Sequence, residues 1–378
     1  MRISKQVVTS KYLVFFKNIG CEDLILQNLL TTKNFDLQKI NINLLRECLN
    51  PTDLDILKGK YGEKIVDDYI AEKLLLDQEL VWGQLNIKQV QIEINSDCNL
   101  KCRFCPVSLE PKPKRVMSME IFQEIIKKVS TIKTLENVTF SSFNEPLFDP
   151  YFKERIEILS SKGIKLRLMT NASYLLDEHV NLLKKSKVID FIKINLPSVD
   201  KHEYIRLTGS DSLTYQKVIH NINKLISTGL EIRIAVNGTK KEIQNNIKEI
   251  CETFHQIPID KIISQNTLDR AGSIKNEYHQ NVNIEGPLSG WCFRPLTWLV
   301  FTVKGDIVLC ANDYYEKHIY GNILDGEITD ILNSERAKNI RKQVYGEMNA
   351  GNDFICRNCI YMKRGALFRR FNPLINKV

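Results

Sequence analysis

"INSDCNLKCRFCPVS", residues 94–108, sets three cysteines within eight positions, at Cys98, Cys102 and Cys105. A structural zinc site wants four closed ligands and disulfides want pairs, so three clustered thiols suit neither. The stretch is entered from "VQIEIN" (90–95), whose alternating apolar residues predict a strand. It leads into "SMEIFQEIIKKVSTI" (118–132), a helical pattern with Ser118 as N-cap. A loop leaving a strand in this way is where α/β folds carry their active sites.

Downstream the same rhythm repeats. Strand patterns at "NVTFSSF" (137–143), "KLRLMTN" (165–171), "DFIKINL" (190–196), "EIRIAVN" (231–237) and "KIISQN" (261–266) alternate with helical patterns. The helical ones are 149–163, ending at Gly163, then 177–187, 215–230 and 240–257. Six such units imply parallel strands with helical crossovers, two short of a closed eight-fold barrel. The expected fold class is therefore α/β, a partial (β/α)6 TIM-like barrel over residues 86–284.

Residues 1–85 read as a small separate α+β domain, winged-helix-like, with one or two strands and two or three helices. "KYLVFFKN" (11–18) is its strand, "EDLILQNLL" a short apolar piece, and "NINLLRECL" and "GEKIVDDYIAEKLLL" its helices. From 285 to 378 the pattern turns β-rich. "TWLVFTVKGDIVLC" (297–310) reads as a hairpin turning at Lys304-Gly305-Asp306, followed by one helix over 328–344 and the pair "CRNC". The tail beyond Cys359, with Arg364, Arg369 and Arg370, reads as a solvated basic end.

Composition narrows the function class. The 378 residues are 43% hydrophobic and 26% charged, with 53 basic against 45 acidic residues and a net charge of +8. No basic block interleaved with aromatics argues for nucleic acid, and no apolar run approaches the ~18 residues that span a bilayer. The start, "MRISKQVVTSKYLVFF", lacks an apolar signal core and cleavage site, so a cytoplasmic protein is expected, with neither a nucleic-acid nor a membrane partner. Ten cysteines then point to metal or redox chemistry. Cys21, Cys48 and Cys251 stand alone and read as small buried hydrophobes.

Thiolates suit iron–sulfur clusters or zinc, and no fourth ligand lies near the first three. A cubane held by three thiolates keeps one iron open to an outside ligand. C-x3-C-x2-C, with Phe104 before the third cysteine, resembles the signature of the radical S-adenosylmethionine (SAM) superfamily. That resemblance implies a SAM-binding [4Fe–4S] cluster on Cys98, Cys102 and Cys105 and a 5′-deoxyadenosyl radical that abstracts hydrogen. It also implies a one-electron donor such as flavodoxin or ferredoxin. "SFNEP" (142–146) resembles the family's G-G-E-P segment, with Glu145 receiving the SAM ammonium and the backbone at Phe143 and Asn144 beside it. Here Phe-Asn replaces Gly-Gly. Thr170 and Asn171 match the family's T-N-G segment; Asn195 and Ser198 stand where relatives face the SAM ribose or carboxylate. Arg206 and Arg270 are further charge partners, and Val236 and Asn237 fall where adenine contacts are usual.

Cys292, Cys310, Cys356 and Cys359 form a second set. Four thiolates close either a zinc site or an iron–sulfur cluster, and ligand count alone leaves both open. Following such a core, C…G-x4-C…C-x2-C resembles the Twitch/SPASM family of auxiliary-cluster domains, which implies a second, fully ligated [4Fe–4S] cluster. A closed cluster suits electron acceptance from a substrate radical. The leading expectation is oxidative modification of a ribosomal peptide (crosslink, thioether, epimerisation or oxidation). The alternative is a dehydrogenase of a small polyol or amino sugar; a non-catalytic iron–sulfur protein is a remote third.

Overall fold

The computed structural model describes residues 5–17, 24–238, 240–266, 269–275, 282–286, 288, 291–365 and 369–370. Cys21, within 18–23, and the end of the strand expected over 11–18 lie outside these residues. The chain forms two compact units: Met1–Ile87 with Asn281–Thr297 and Thr329–Val378, and Lys88–Gln280 with Trp298–Ile328.

The first unit holds more strand than its sequence suggested. β1 (Gln6–Thr9), β2 (Leu13–Lys17), β3 (Leu24–Asn28), β4 (Lys33–Asp36), β5 (Thr52–Asp53) and β6 (Leu75–Asp77) accompany helices at Ile42–Glu47, Leu54–Tyr61 and Glu63–Ala71. The run "LILQN" pairs with β2 as an antiparallel strand, and the final "LLL" of the second helical pattern leaves the helix to become β6 beside β1. Burial explains both changes: Leu26, Leu74 and Leu75 are sealed in one apolar core with Val7, Leu13, Leu44, Leu57 and Val66. Packing of that core outweighs local helical propensity.

In the second unit, β7 (Gln89–Ile92), β8 (Asn137–Phe140), β9 (Leu166–Thr170), β10 (Ile189–Asn195), β11 (Ile232–Gly238) and β12 (Ile262–Asn266) pair in parallel, each beside the next. The expected six strands are all present. Beyond β7 the sheet continues through β13 (Trp298–Phe301), parallel to β7, then β14 (Asp306–Val308) and β15 (Ile319–Asn322), both antiparallel. The hairpin turns as expected at Gly305, whose φ of 84° favours glycine; a Cβ there would meet Ile121 and Ile323 at 3.0 Å.

Side chains on β9–β11 alternate sharply. Leu166, Leu168, Ile192, Ile194, Ile232, Ile234 and Val236 are buried on one face. Arg167, Met169, Lys193, Asn195, Arg233 and Asn237 occupy the other and are half-exposed. The crossover helices bring apolar stripes, such as Phe122, Ile125, Ile126 and Val129 of Met119–Val129, capped by Ser118 as expected. An additional helix, Lys201–Thr208, lies between β10 and the helix Ser212–Ile226, started by an Asp200 cap that the sequence reading passed over.

Two C-terminal expectations change. The single helix over 328–344 is two, Ile328–Asn333 and Glu335–Val344, because Ser334 caps the second through Ala337 N. The tail is not wholly a free end: β16 (Arg369–Arg370) pairs with β2.

Candidate active site

The loop from β7 is shaped by backbone bonds to the end of helix Lys201–Thr208: Lys101 N to Thr208 O at 2.9 Å and Arg103 N to Leu207 O at 3.0 Å. Cys105 N bonds Cys102 O at 3.0 Å, and Pro106 opens a short helix behind it. The three thiols are held mostly out of water. Burial pushes Cys98 up to about 12 and Cys102 and Cys105 upward; the Glu145 charge adds to Cys98, and neighbouring thiolates add to Cys98 and Cys102. Such a donor set resists becoming three bare thiolates, and a cationic iron core supplies the missing positive charge.

Around it the strand ends form one network. Glu145, 1% exposed, accepts from Thr170 Oγ1 at 2.6 Å and Leu147 N at 3.2 Å on Oε1, and from Asn171 N at 2.7 Å on Oε2. The Asn171 amide reaches Cys98 Sγ at 3.7 Å and Asn99 Oδ1 at 3.1 Å. So Glu145, Thr170, Asn171 and Cys98 meet in one network. Glu145 also caps the turn Pro146–Phe148. A carboxylate has about four acceptor sites and three are taken here, which leaves one on Oε2 for an ammonium. Burial pushes the carboxyl up to about 7 against those donors. Both polar atoms of the Asn144 amide are buried without a hydrogen-bond partner. An orphaned amide of this kind fits a bound polar ligand.

Other expected residues scatter. Phe104, Ser198 and Asn237 line one cavity of about 200 Å³ with Asp200, Glu203 and Glu242. Asn195 and Asn237 bond each other through their amides. Val236 is fully buried on the opposite, apolar face and does not line that cavity. Arg206 is exposed and grips Glu203 at 2.6 and 2.7 Å. Arg270, at a left-handed φ of 52°, lies 5.2 Å over the Phe143 ring, and Phe143 packs edge-on to Tyr314 at 4.7 Å. The sequence reading missed Asn99, Ser173, Lys112 and Tyr314. Asn99 bonds Ser173 Oγ at 2.7 Å, and Lys112 pairs with Glu316 at 2.7 Å and sits 4.5 Å over Tyr314. Only polarity beside the cysteines could have flagged the first pair.

Of the second set, Cys292, Cys356 and Cys359 belong to the first unit and Cys310 to the second. Cys310 Sγ accepts from Asn312 N at 3.5 Å. Tyr345 donates to Cys292 O at 2.6 Å. Arg357, between Cys356 and Cys359, is buried and donates to the carbonyls of Ile284, Gly286, Ala350 and Gly351 at 2.6–3.2 Å. Among the described residues, no three His, Cys, Asp or Glu side chains converge tightly enough to grip a single ion. Cys48 is buried, whereas Cys251 is half-exposed. Also among the described residues, no helix is long and apolar enough to cross a membrane.

Two family models match: the radical SAM superfamily over residues 92–254 and an iron–sulfur cluster-binding domain, SPASM, over 292–360. An S-adenosyl-L-methionine-dependent 2-deoxy-scyllo-inosamine dehydrogenase of Niallia circulans is 21% identical across 71% of this chain and 91% of its own length. An uncharacterised Methanocaldococcus jannaschii protein is 28% identical, and the match spans 48% of this chain and 61% of that protein. Streptococcus suis SuiB bound to precursor peptide SuiA shares the fold at a TM-score of 0.58 and 16% identity, covering 98% of this chain and all of that one. BtrN, in complex with AdoMet and 2-DOIA, does so at 0.50 and 16%, covering 73% and 94%. The matched domains bring a SAM-binding [4Fe–4S] cluster, SAM and an auxiliary iron–sulfur cluster.

Proposed function

We propose, for a chain that belongs to the radical SAM superfamily and carries a SPASM iron–sulfur domain, that this enzyme oxidatively modifies a ribosomal peptide. When bound, the cluster and SAM would supply the radical chemistry that removes hydrogen from a substrate. Cys98, Cys102 and Cys105 hold that cluster. Glu145 takes the SAM ammonium on its remaining acceptor site, while Asn171 braces Cys98 and keeps the strand ends in register. Asn144 offers its amide to SAM, and Phe104, Ser198, Asn195, Val236 and Asn237 border the adenosine. Arg206 and Arg270 supply positive charge at the rim. Cys292, Cys310, Cys356 and Cys359 hold the auxiliary cluster, and the six strands curve as a partial (β/α)6 barrel.

The observation that carries the SAM site is the Glu145–Asn171–Cys98 chain of contacts. The peptide substrate is supported by the likeness to SuiB, which extends over the N-terminal unit, and by β4, whose exposed residues leave an edge where an extended chain adds as a strand. The N-terminal 85 residues then act as the recognition module. The second reading, dehydrogenation of a small polyol or amino sugar, is favoured by the dehydrogenase that this chain matches over 91% of its length. Mass spectrometry decides between them. Short peptides encoded beside the gene, co-expressed anaerobically with the enzyme, should lose 2 Da or change chirality; an unchanged peptide and an oxidised amino sugar would reverse the choice. With Cys356→Ala and Cys359→Ala together, 5′-deoxyadenosine should still form while modified product stops.

A further inference from the structure

Among the described residues, the hydroxyl of the fully buried Tyr204 finds no hydrogen-bond partner. Phenols taken out of water ordinarily keep one, so this O–H awaits an acceptor. Tyr204, Leu207 and Thr208 make the buried face of helix Lys201–Thr208, at i, i+3 and i+4. The carbonyls of Leu207 and Thr208 take the N–H groups of Arg103 and Lys101 at 3.0 and 2.9 Å. Cys102, between those two residues, is thus clamped to the end of this helix. Gly209, just past it, lies so close that an added Cβ would stand 3.1 Å from the Cβ of Lys101. The Thr208 hydroxyl donates back to Tyr204 O at 2.7 Å, which fixes the turn that carries the ring.

Electrostatics agrees with that placement. Burial pushes the Tyr204 hydroxyl upward, and negative charge on Cys102, then Cys98, then Glu145 pushes it further. Charges that disfavour a phenolate favour a phenol that donates to them. Of the three, Glu145 already receives three donors, and its last acceptor site is the one assigned to SAM. Cys98 already holds the Asn171 amide. Among the described residues, no side chain donates to Cys102. A neutral thiol is a weak acceptor, whereas a thiolate is a strong one, so the bond belongs to the metal-loaded loop.

We infer that Tyr204 donates a hydrogen bond to the Cys102 sulfur when the loop holds its iron–sulfur cluster, as Asn171 does to Cys98. This rests on the reading of Cys98, Cys102 and Cys105 as cluster ligands. Tyr204 is then a positioning residue that acts through the cluster and keeps its proton throughout. Its O–H favours the more negative, reduced state and so raises the reduction potential. The inference holds for a peptide and for a small-molecule substrate alike.

The test is a redox titration of the anaerobically reconstituted holoenzyme followed by electron paramagnetic resonance, where the signal that changes on adding SAM identifies this cluster. Tyr204→Phe keeps the ring and deletes only an unpaired hydroxyl, so the fold is retained; circular dichroism and iron counting check this. Its reduction equilibrium should fall about tenfold, a midpoint about 59 mV lower for one electron, while the auxiliary cluster keeps its potential. The control is Tyr215→Phe. Its ring lies 5.5 Å from that of Tyr204, but its hydroxyl is already spent on Val199 O at 2.5 Å. That variant should lower the thermal midpoint and leave both potentials where they were. An unchanged SAM-responsive potential in Tyr204→Phe, or an equal drop in Tyr215→Phe, overturns the inference. A cluster that shifts as expected but forms no 5′-deoxyadenosine with SAM and dithionite would instead strike the function reading and leave this result standing.

Discussion

The two cysteine sets are built on opposite plans. Cys98, Cys102 and Cys105 sit on one loop of one unit, and their support comes from neighbouring strand ends through side chains, Asn171 on Cys98 and Glu145 on Asn171. Cys292, Cys356 and Cys359 come from separated segments of the other unit, where side chains tie down main-chain carbonyls: Tyr345 donates to the Cys292 carbonyl and Arg357 to four others. A loop that leaves one ligand position open needs side chains to define the gap. A closed set needs only that its segments stay together.

The largest effect tests the open site. Cys102→Ala should reduce 5′-deoxyadenosine formation below about a hundredth of wild type, because losing a ligand exceeds the 10- to 100-fold typical of outer contacts. Iron counting should show the auxiliary cluster retained. Loss of both clusters together would mean that the two sets are not independent.

Next is the closed set. Arg357→Met strands five carbonyl contacts from a buried guanidinium, and should lower stability by about 3 kcal/mol and halve auxiliary iron while SAM affinity stays. Arg357→Lys should recover part of the iron. A full iron complement in Arg357→Met would show that the carbonyl clamp does not hold that site.

The same contrast governs what could be read without coordinates. The cysteine loop, the "NEP" segment and "TN" are local patterns at successive strand ends, and the parallel sheet that joins them follows from the βα rhythm. Ser118, Gly163 and the Gly305 turn were likewise legible, because each signal is carried by one residue. What failed was decided at a distance. "LILQN" and Leu75 became strand because a core formed across them. The break at Ser334 needed weighing a cap against a continuous periodic run. Tyr204 was invisible, since nothing in "KHEYIRLT" tells that its hydroxyl is buried without a partner.

A smaller effect probes Glu145, the carboxylate proposed to receive SAM. Burial raises Glu145 from an ordinary 4.5 to about 7, and only its ionised form accepts an ammonium. SAM affinity should therefore rise as pH climbs from 6 to 8. The sign for stability without SAM is opposite: a raised carboxyl pKa favours the fold at low pH, and that contribution is lost as pH rises from 4.5 through about 7. Glu145→Gln should weaken SAM about tenfold, because its amide would face the Asn171 N–H, and should flatten both pH profiles. A SAM profile that stays as steep in the variant would assign the titration elsewhere.

The smallest effect lies where helix Lys201–Thr208 meets the cysteine loop. Gly209 closes that helix at a left-handed φ of 62°, and a Cβ on it would come within 2.8 Å of Lys101 O. Lys101 lies between Asn99 and Cys102, and its own N–H is tied to Thr208 O at 2.9 Å. Gly209→Ala thus combines the left-handed cost with a push on the loop, about 1–2 kcal/mol in all. The expected readout is a thermal midpoint lower by a few degrees with a two- to threefold weaker SAM affinity. Gly163→Ala, also left-handed at 64° but with open space around its Cβ, is the control. It should lower the midpoint and leave SAM binding alone; a matching SAM defect there would mean that global stability, not the loop contact, controls the open site.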